Sequence, residues 1–199
     1  GMGMAKSFQR EGVTDKVVFG VMGDSTFFHS GMTGLANAVF NKHDVLLVIL
    51  DNGTTAMTGH QPNPGVCTSV LGEGCNHLDI ESVVRGIGVT DVAKVKPFNM
   101  RGTLKTIEEM KARSGVRVII AEEPCMLFAR RTLKQNRPQV AEVATQGEEA
   151  LKCLAELACP AFRRGGTAEA PVVSVDESQC SGCMVCLQVT PAIRARKRS

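Results

Sequence analysis

Three short apolar runs mark the first two thirds of the chain: residues 16–22 (KVVFGVM), 45–50 (VLLVIL) and 116–121 (VRVIIA). Each has strand length and lacks polar–apolar alternation, so each reads as a strand buried on both faces. Residues 92–95 form a weaker strand ending before Pro97. Helical spacing lies between these runs. Residues 30–41 place Met32, Leu35, Ala36, Val39 and Phe40 on one face, residues 79–86 begin on a capping Asp79, and residues 103–113 give a third helix. Strands alternating with helices predict an α/β fold with a parallel sheet and right-handed crossovers. Ligands of such sheets bind beyond the carboxyl ends of the strands. A Gly-, Pro- and Thr-rich loop runs from Asp51 to about His77.

The pattern changes after the third run. Residues 135–146 are polar and irregular, which sets a boundary near 137–146 and predicts two domains, 1–140 and 147–199. The second holds a short helix from Gly147, an apolar strand at 172–175 and a cysteine cluster. Composition narrows the class. The chain has 199 residues, 43% hydrophobic, with eight Phe and neither Trp nor Tyr, so a packed core must rest on aliphatic side chains and Phe. A net charge of +3 is too small to suggest nucleic acid, and the basic tail Arg194-Ala195-Arg196-Lys197-Arg198 reads as solvated. No run reaches the ~20 apolar residues of a membrane span. The start lacks a signal peptide and begins as if inside a helix, so the chain reads as a fragment of a longer cytoplasmic protein.

Two predicted strands end in chemistry. The first runs into Gly23-Asp24-Ser25 and the next into Asp51-Asn52-Gly53-Thr54. On one edge of a parallel sheet, the Asp24 carboxylate, the Asn52 carboxamide and the Thr54 carbonyl can converge. These are hard oxygen ligands suited to Mg²⁺, which takes its remaining ligands from a diphosphate and water. Gly23 allows the tight turn, and the start of the Ser30 helix offers free N–H groups to an anion. The bland reading is a helix cap at Asp24 and a turn residue at Asn52.

Residues 23–31 (GDSTFFHSG) and 50–62 (LDNGTTAMTGHQP) resemble the α subunits of indolepyruvate ferredoxin oxidoreductases, and the resemblance covers nearly the whole chain. It implies a thiamine-diphosphate-binding domain followed by a small ferredoxin-like iron–sulfur segment. By it, Asp24, Asn52 and Thr54 hold Mg²⁺, Gly23 and Ser25 line the diphosphate, and Thr55, Ala56, Met57 and Thr58 run beside the thiazolium ring. His60 faces the presumed site and is the candidate catalytic group. His29 is a weaker candidate for the same role, and His43 and His77 read as structural. Glu122 and Glu123 read as solvated strand-end charges. The carboxylate that activates the cofactor's pyrimidine ring has no counterpart here, so the fragment is expected to be inactive alone.

Cys180, Cys183 and Cys186 follow C-x₂-C-x₂-C, an iron–sulfur signature with zinc as its main rival. The fourth position of this run holds Thr190 before Pro191. In two-cluster ferredoxin domains the fourth cysteine of each run serves the other cluster. The resembled family carries two runs, and the first corresponds here to Gly147, Ala150, Cys153 and Cys159. One cluster would then need positions 147, 150, 153 and 190 and keeps only Cys153. The other has Cys159, Cys180, Cys183 and Cys186. The expectation is one [4Fe–4S] cluster, the second lost, with Cys153 a vestigial thiol. Cys67, Cys75 and Cys125 read as partly buried thiols. The implied reaction is oxidative decarboxylation of an aryl pyruvate with coenzyme A, alongside a β subunit and with ferredoxin as acceptor. A pyruvate or 2-oxoglutarate enzyme and a non-catalytic electron-transfer subunit are the alternatives.

Overall fold

The apolar runs become a parallel four-stranded sheet: β1 (Phe19–Gly23), β2 (Val45–Asp51), β3 (Asp91–Val95) and β4 (Val116–Glu122), in spatial order β1-β2-β4-β3. The computed structural model describes residues 1–74, 76–131 and 137–198, and it divides into the units Gly1–Thr132 and Leu133–Ser199. Leu47 and Ile49 of β2 and Val118 and Ile120 of β4 enter one core, with Phe27, Phe28, Leu35, Ile80 and Val84. Leu46 and Ile119 face the opposite way, toward Val95 and Met110. Covering both faces is what a continuous apolar strand requires, and each fully buried Leu or Ile contributes about 1.5–3 kcal/mol.

Around the sheet lie α1 (Met2–Glu11), α2 (Asp24–Thr26), α3 (Met32–Phe40), α4 (Ile80–Gly86), α5 (Met100–Lys111) and α6 (Met126–Arg131). Asp79 caps α4 by accepting from the Ser82 N–H at 2.7 Å, as its sequence position predicts. Asn99 caps α5 by accepting from Gly102, so that helix starts three residues before the expected Thr103.

Two expectations for the first unit need correction. Residues 16–22 are not a doubly buried strand. β1 is shorter and pairs with β2 on one side only among the described residues, and Phe19 and Val21 stand 43% and 63% exposed. The helix expected from Ser30 begins at Asp24 itself. A π turn at Phe27–Gly31 joins α2 to α3, and within α3 Leu35 and Ala38 are buried while Ala36 and Phe40 are exposed.

The second unit has two antiparallel strand pairs. β5 (Gln139–Val143) pairs with β8 (Ile193–Lys197), and β6 (Phe162–Gly166) with β7 (Pro171–Val175). The helix α7 (Glu148–Glu156) and a 3₁₀ turn at Val185–Gln188 complete it. Val140, Ala150, Cys153, Phe162, Val173, Cys186 and Ile193 share its core. Residues 139–143, expected at the end of the first domain or in its linker, therefore belong to the second unit. The basic tail is likewise strand rather than solvated coil. Ile193 is buried, Arg194 pairs with Glu142 at 2.9 Å and Arg196 with Glu177 at 2.6 Å.

Candidate functional site

Register brings the two predicted strand ends together: Gly23 of β1 lies opposite Leu50 of β2. Gly23 is extended (φ −77°, ψ 163°) and serves as the N-cap, so the chain turns into helix at Asp24. Asp24 is only 2% exposed, and its Oδ1 accepts the Ser25 N–H at 2.7 Å. Its Oδ2 is buried without a hydrogen-bond partner. An ionised oxygen enclosed this way is costly unless a cation or donor meets it, so the arrangement fits a metal.

The β2 end curls toward the same point. Gly53 takes φ +70°, and the Asn52 side-chain oxygen accepts the Thr54 N–H at 3.1 Å. Thr54 is buried, and the Thr55 hydroxyl donates to the Ser25 hydroxyl at 2.9 Å, tying the two loops together. Asp51 also stands here, with its carboxyl held above the usual range by burial and then by the Asp24 charge. Two neighbouring carboxylates deepen the negative potential that would draw a divalent cation.

Beyond Thr55 the loop locks onto itself. Thr55 and Gln61 bridge, His60 N–H donates to the Thr55 carbonyl at 3.0 Å, and Ala56–Thr58 form a 3₁₀ turn. Thr58 is tied to Gln61 by a 2.7 Å hydroxyl–carboxamide bond, and Met57 is fully exposed at the turn. His60 sits in the left-handed region (φ +65°) and stacks on Phe128 of α6, with ring centroids 5.4 Å apart. His29 and His77 are exposed and His43 is buried. Sequence reasoning missed Asp51 and Phe128. It also took Glu122 as a solvated charge, whereas Glu122 bridges Lys94 at 3.3 Å and Lys96 at 3.2 Å. Asp51 had a signal, since it immediately precedes Asn52. Phe128 had none, because its role rests on a contact 68 positions away in the chain, from 60 to 128.

In the second unit, Cys159, Cys180, Cys183 and Cys186 line one cavity of about 220 Å³, walled otherwise by apolar groups such as Leu157, Phe162 and Val175. The Ala141 N–H points at the Cys180 sulfur at 3.5 Å. Gly182 (φ +74°) and Met184 (φ +59°) bend the 180–186 loop, and a Cβ on Gly182 would stand 2.6 Å from the Gln139 carbonyl oxygen. Burial pushes the Cys186 thiol up to about 12, with neighbouring Cys153 the next cause. These sulfurs would ligate as thiolates only beside a cationic centre, and four of them lining one cavity is a donor set that suits one. Among the described residues no three His, Cys, Asp or Glu side chains converge on a single ion. The seven described cysteines are free thiols. Cys67 is exposed and Cys125 half-buried, while Cys75 lies outside the described residues. No helix among the described residues is long and apolar enough to cross a membrane.

The positions of the other expected run are occupied differently. Gly147 is the N-cap of α7, Ala150 and Cys153 are wholly buried on that helix, and the Thr190 hydroxyl donates to Glu149 at 3.0 Å.

A buried, unpartnered carboxylate and a carboxamide turn thus stand at the carboxyl edge of a parallel sheet, where such sheets bind ligands. The chain belongs to the thiamine pyrophosphate enzymes, whose C-terminal TPP binding domain matches residues 1–121. Among individual proteins it is similar to indolepyruvate oxidoreductase subunit IorA. It is 41% identical to that of Methanothermobacter thermautotrophicus and 39% to that of Archaeoglobus fulgidus, each over 90% of this chain. The chain spans 28% of the length of either relative. A 2-oxoglutarate:ferredoxin oxidoreductase from Magnetococcus marinus shares the fold, with a TM-score of 0.51 and 19% identity over 62% of this chain and 44% of that one.

Proposed function

We propose that this chain is the diphosphate-binding and iron–sulfur part of an indolepyruvate:ferredoxin oxidoreductase, which converts aryl pyruvates and coenzyme A to aryl-acetyl-CoA, CO₂ and reduced ferredoxin. The observation that carries the reading is the buried, unpartnered Asp24 Oδ2 beside the Asn52–Thr54 turn. Thiamine diphosphate, when bound, supplies the electron sink for decarboxylation. Asp24, Asn52 and the Thr54 carbonyl would hold Mg²⁺, and Gly23 and Ser25 would line the diphosphate at the helix start. Thr55, Ala56, Met57 and Thr58 would form the wall beside the thiazolium, which gives the exposed Met57 a surface to cover. His60, fixed by its backbone and its ring stack, would contact substrate.

The second unit is proposed as ferredoxin-like, holding one [4Fe–4S] cluster on Cys159, Cys180, Cys183 and Cys186, with the second cluster lost. The cavity shared by those four thiols supports this set. The C-x₂-C-x₂-C spacing favours the cluster over zinc, whose sites usually pair two ligands at each end. The working setting is a reducing, cytoplasmic one, with a β subunit supplying part of the complex.

Calorimetry tests the reading. Thiamine diphosphate should bind this chain with Mg²⁺, and binding should vanish with chelator or in Asp24→Ala. Binding that is indifferent to both would overturn the assignment. The chain alone should give no indolepyruvate-dependent dye reduction, since no pyrimidine-activating carboxylate is recognised in it.

A further inference from the structure

Two aromatic contacts are found among the described residues of the first unit. Phe27 and Phe28 meet edge-on inside the core, where they fill space between helix and sheet. The other pair, His60 and Phe128, lies at the carboxyl edge of the sheet and stays only partly covered. Its geometry is unusually well fixed for a loop-to-helix contact. His60 holds φ +65° immediately after Gly59 at φ +115°. A non-glycine residue in that region is strained, and it persists because the Thr55–Gln61 bridge and the His60 N–H to Thr55 bond determine the loop. The consequence of the strain is where the imidazole goes: flat against Phe128, with 28° between the ring planes.

Phe128 is fixed from the other side. The chain leaving β4 is pinned to the end of β2, where Glu123 N–H donates to the Asp51 carbonyl and Cys125 N–H to the Asn52 carbonyl, both at 3.0 Å. Ala129 is buried and its N–H donates to Cys125, which seats the first turn of α6. The backbone that positions Asn52 therefore also positions Phe128. In the ring of His60 the Nδ1 is enclosed and without a hydrogen-bond partner, and the ring lies stacked on Phe128.

We infer that the His60–Phe128 pair forms the aryl-side wall of the substrate pocket, with Phe128 the residue that favours an aromatic over an aliphatic 2-oxoacid. The assignment rests on the proposed reaction. His60 follows, after Gly59, the 55–58 turn proposed to lie beside the thiazolium, and Phe128 lies against His60, so the pair stands next to the proposed reacting centre. An aliphatic side chain gains only buried area against these rings. An indole or phenyl group gains offset stacking as well, which is worth up to about tenfold in affinity.

The test uses the assembled complex containing the full-length catalytic chain, assayed with indole-3-pyruvate, phenylpyruvate and 2-oxobutyrate. Phe128→Leu keeps apolar bulk and removes the π face, whereas Phe128→Tyr keeps the face. The ratio of kcat/KM for aryl over aliphatic substrate should fall about tenfold in Phe128→Leu, through KM rather than kcat, and return in Phe128→Tyr. If both substrate classes lose equally, or if Phe128→Tyr is as impaired as Phe128→Leu, Phe128 only packs α6 and the assignment is overturned alone. A wild-type complex that prefers the aliphatic substrate overturns the proposed reaction, and this assignment with it.

Discussion

The two cysteine-bearing stretches of the second unit, 147–159 and 180–186, fold in opposite ways. Residues 147–159 are mostly helix: α7 starts directly after Gly147 and carries Ala150 and Cys153 into the core. Residues 180–186 are an open loop bent by two left-handed residues, Gly182 and Met184, whose three cysteines line a cavity with Cys159. A regular helix places residues three apart on one face and cannot curl around a bulky group, whereas left-handed residues let a short loop wrap one. Under the proposed loss of a second cluster, positions 147, 150 and 190 hold a helix cap, a buried methyl and a hydroxyl bonded to its neighbours. The Thr190 hydroxyl donates to Glu149 and accepts the Ala192 N–H at 3.2 Å.

The largest expected contrast is in metal content. Cys183→Ser should drop iron from about four per chain to near zero after anaerobic reconstitution, whereas Cys153→Ser should leave it at about four. Equal loss from both variants would break the division between the halves. Next comes the backbone. Gly182→Ala forces a Cβ against the Gln139 carbonyl at positive φ, and chemical denaturation should show a loss of about 2 kcal/mol or more. In the helical half, Ala150→Gly should cost about 1 kcal/mol, from helix propensity and a lost buried methyl. Thr190→Val removes one hydroxyl and strands the Ala192 N–H, for about 1–2 kcal/mol by the same measurement. The smallest effect sharpens the comparison furthest: Thr190→Cys should add no iron, because α7 still fills the site.

Much of the first unit was legible in the sequence. Residues 45–50 are apolar without interruption and 116–121 are broken only by the buried Arg117, because both faces of β2 and β4 are covered. β1 was misjudged because an edge strand of the same composition leaves Phe19 and Val21 exposed, which no local signal distinguishes. The π turn at Phe27–Gly31 depends on how the helix seats on the sheet and leaves no mark in spacing. β5 and β8 were hidden for a different reason. Their alternation is filled out by Glu142, Arg194 and Arg196, charges that read as solvent-facing until strand pairing brings partners together. At the site, Gly23-Asp24-Ser25 and Asp51-Asn52-Gly53-Thr54 were readable as strand ends, which the β1–β2 register sets side by side. Phe128 and the Glu122 bridges were not, because they depend on contacts between segments far apart in the chain.

The number of clusters is the central claim, and chemical analysis of iron and acid-labile sulfide in the anaerobically reconstituted chain measures it directly. One cluster on Cys159, Cys180, Cys183 and Cys186 predicts about four irons and about four sulfides per chain. About eight of each, or a single zinc without sulfide, would contradict it.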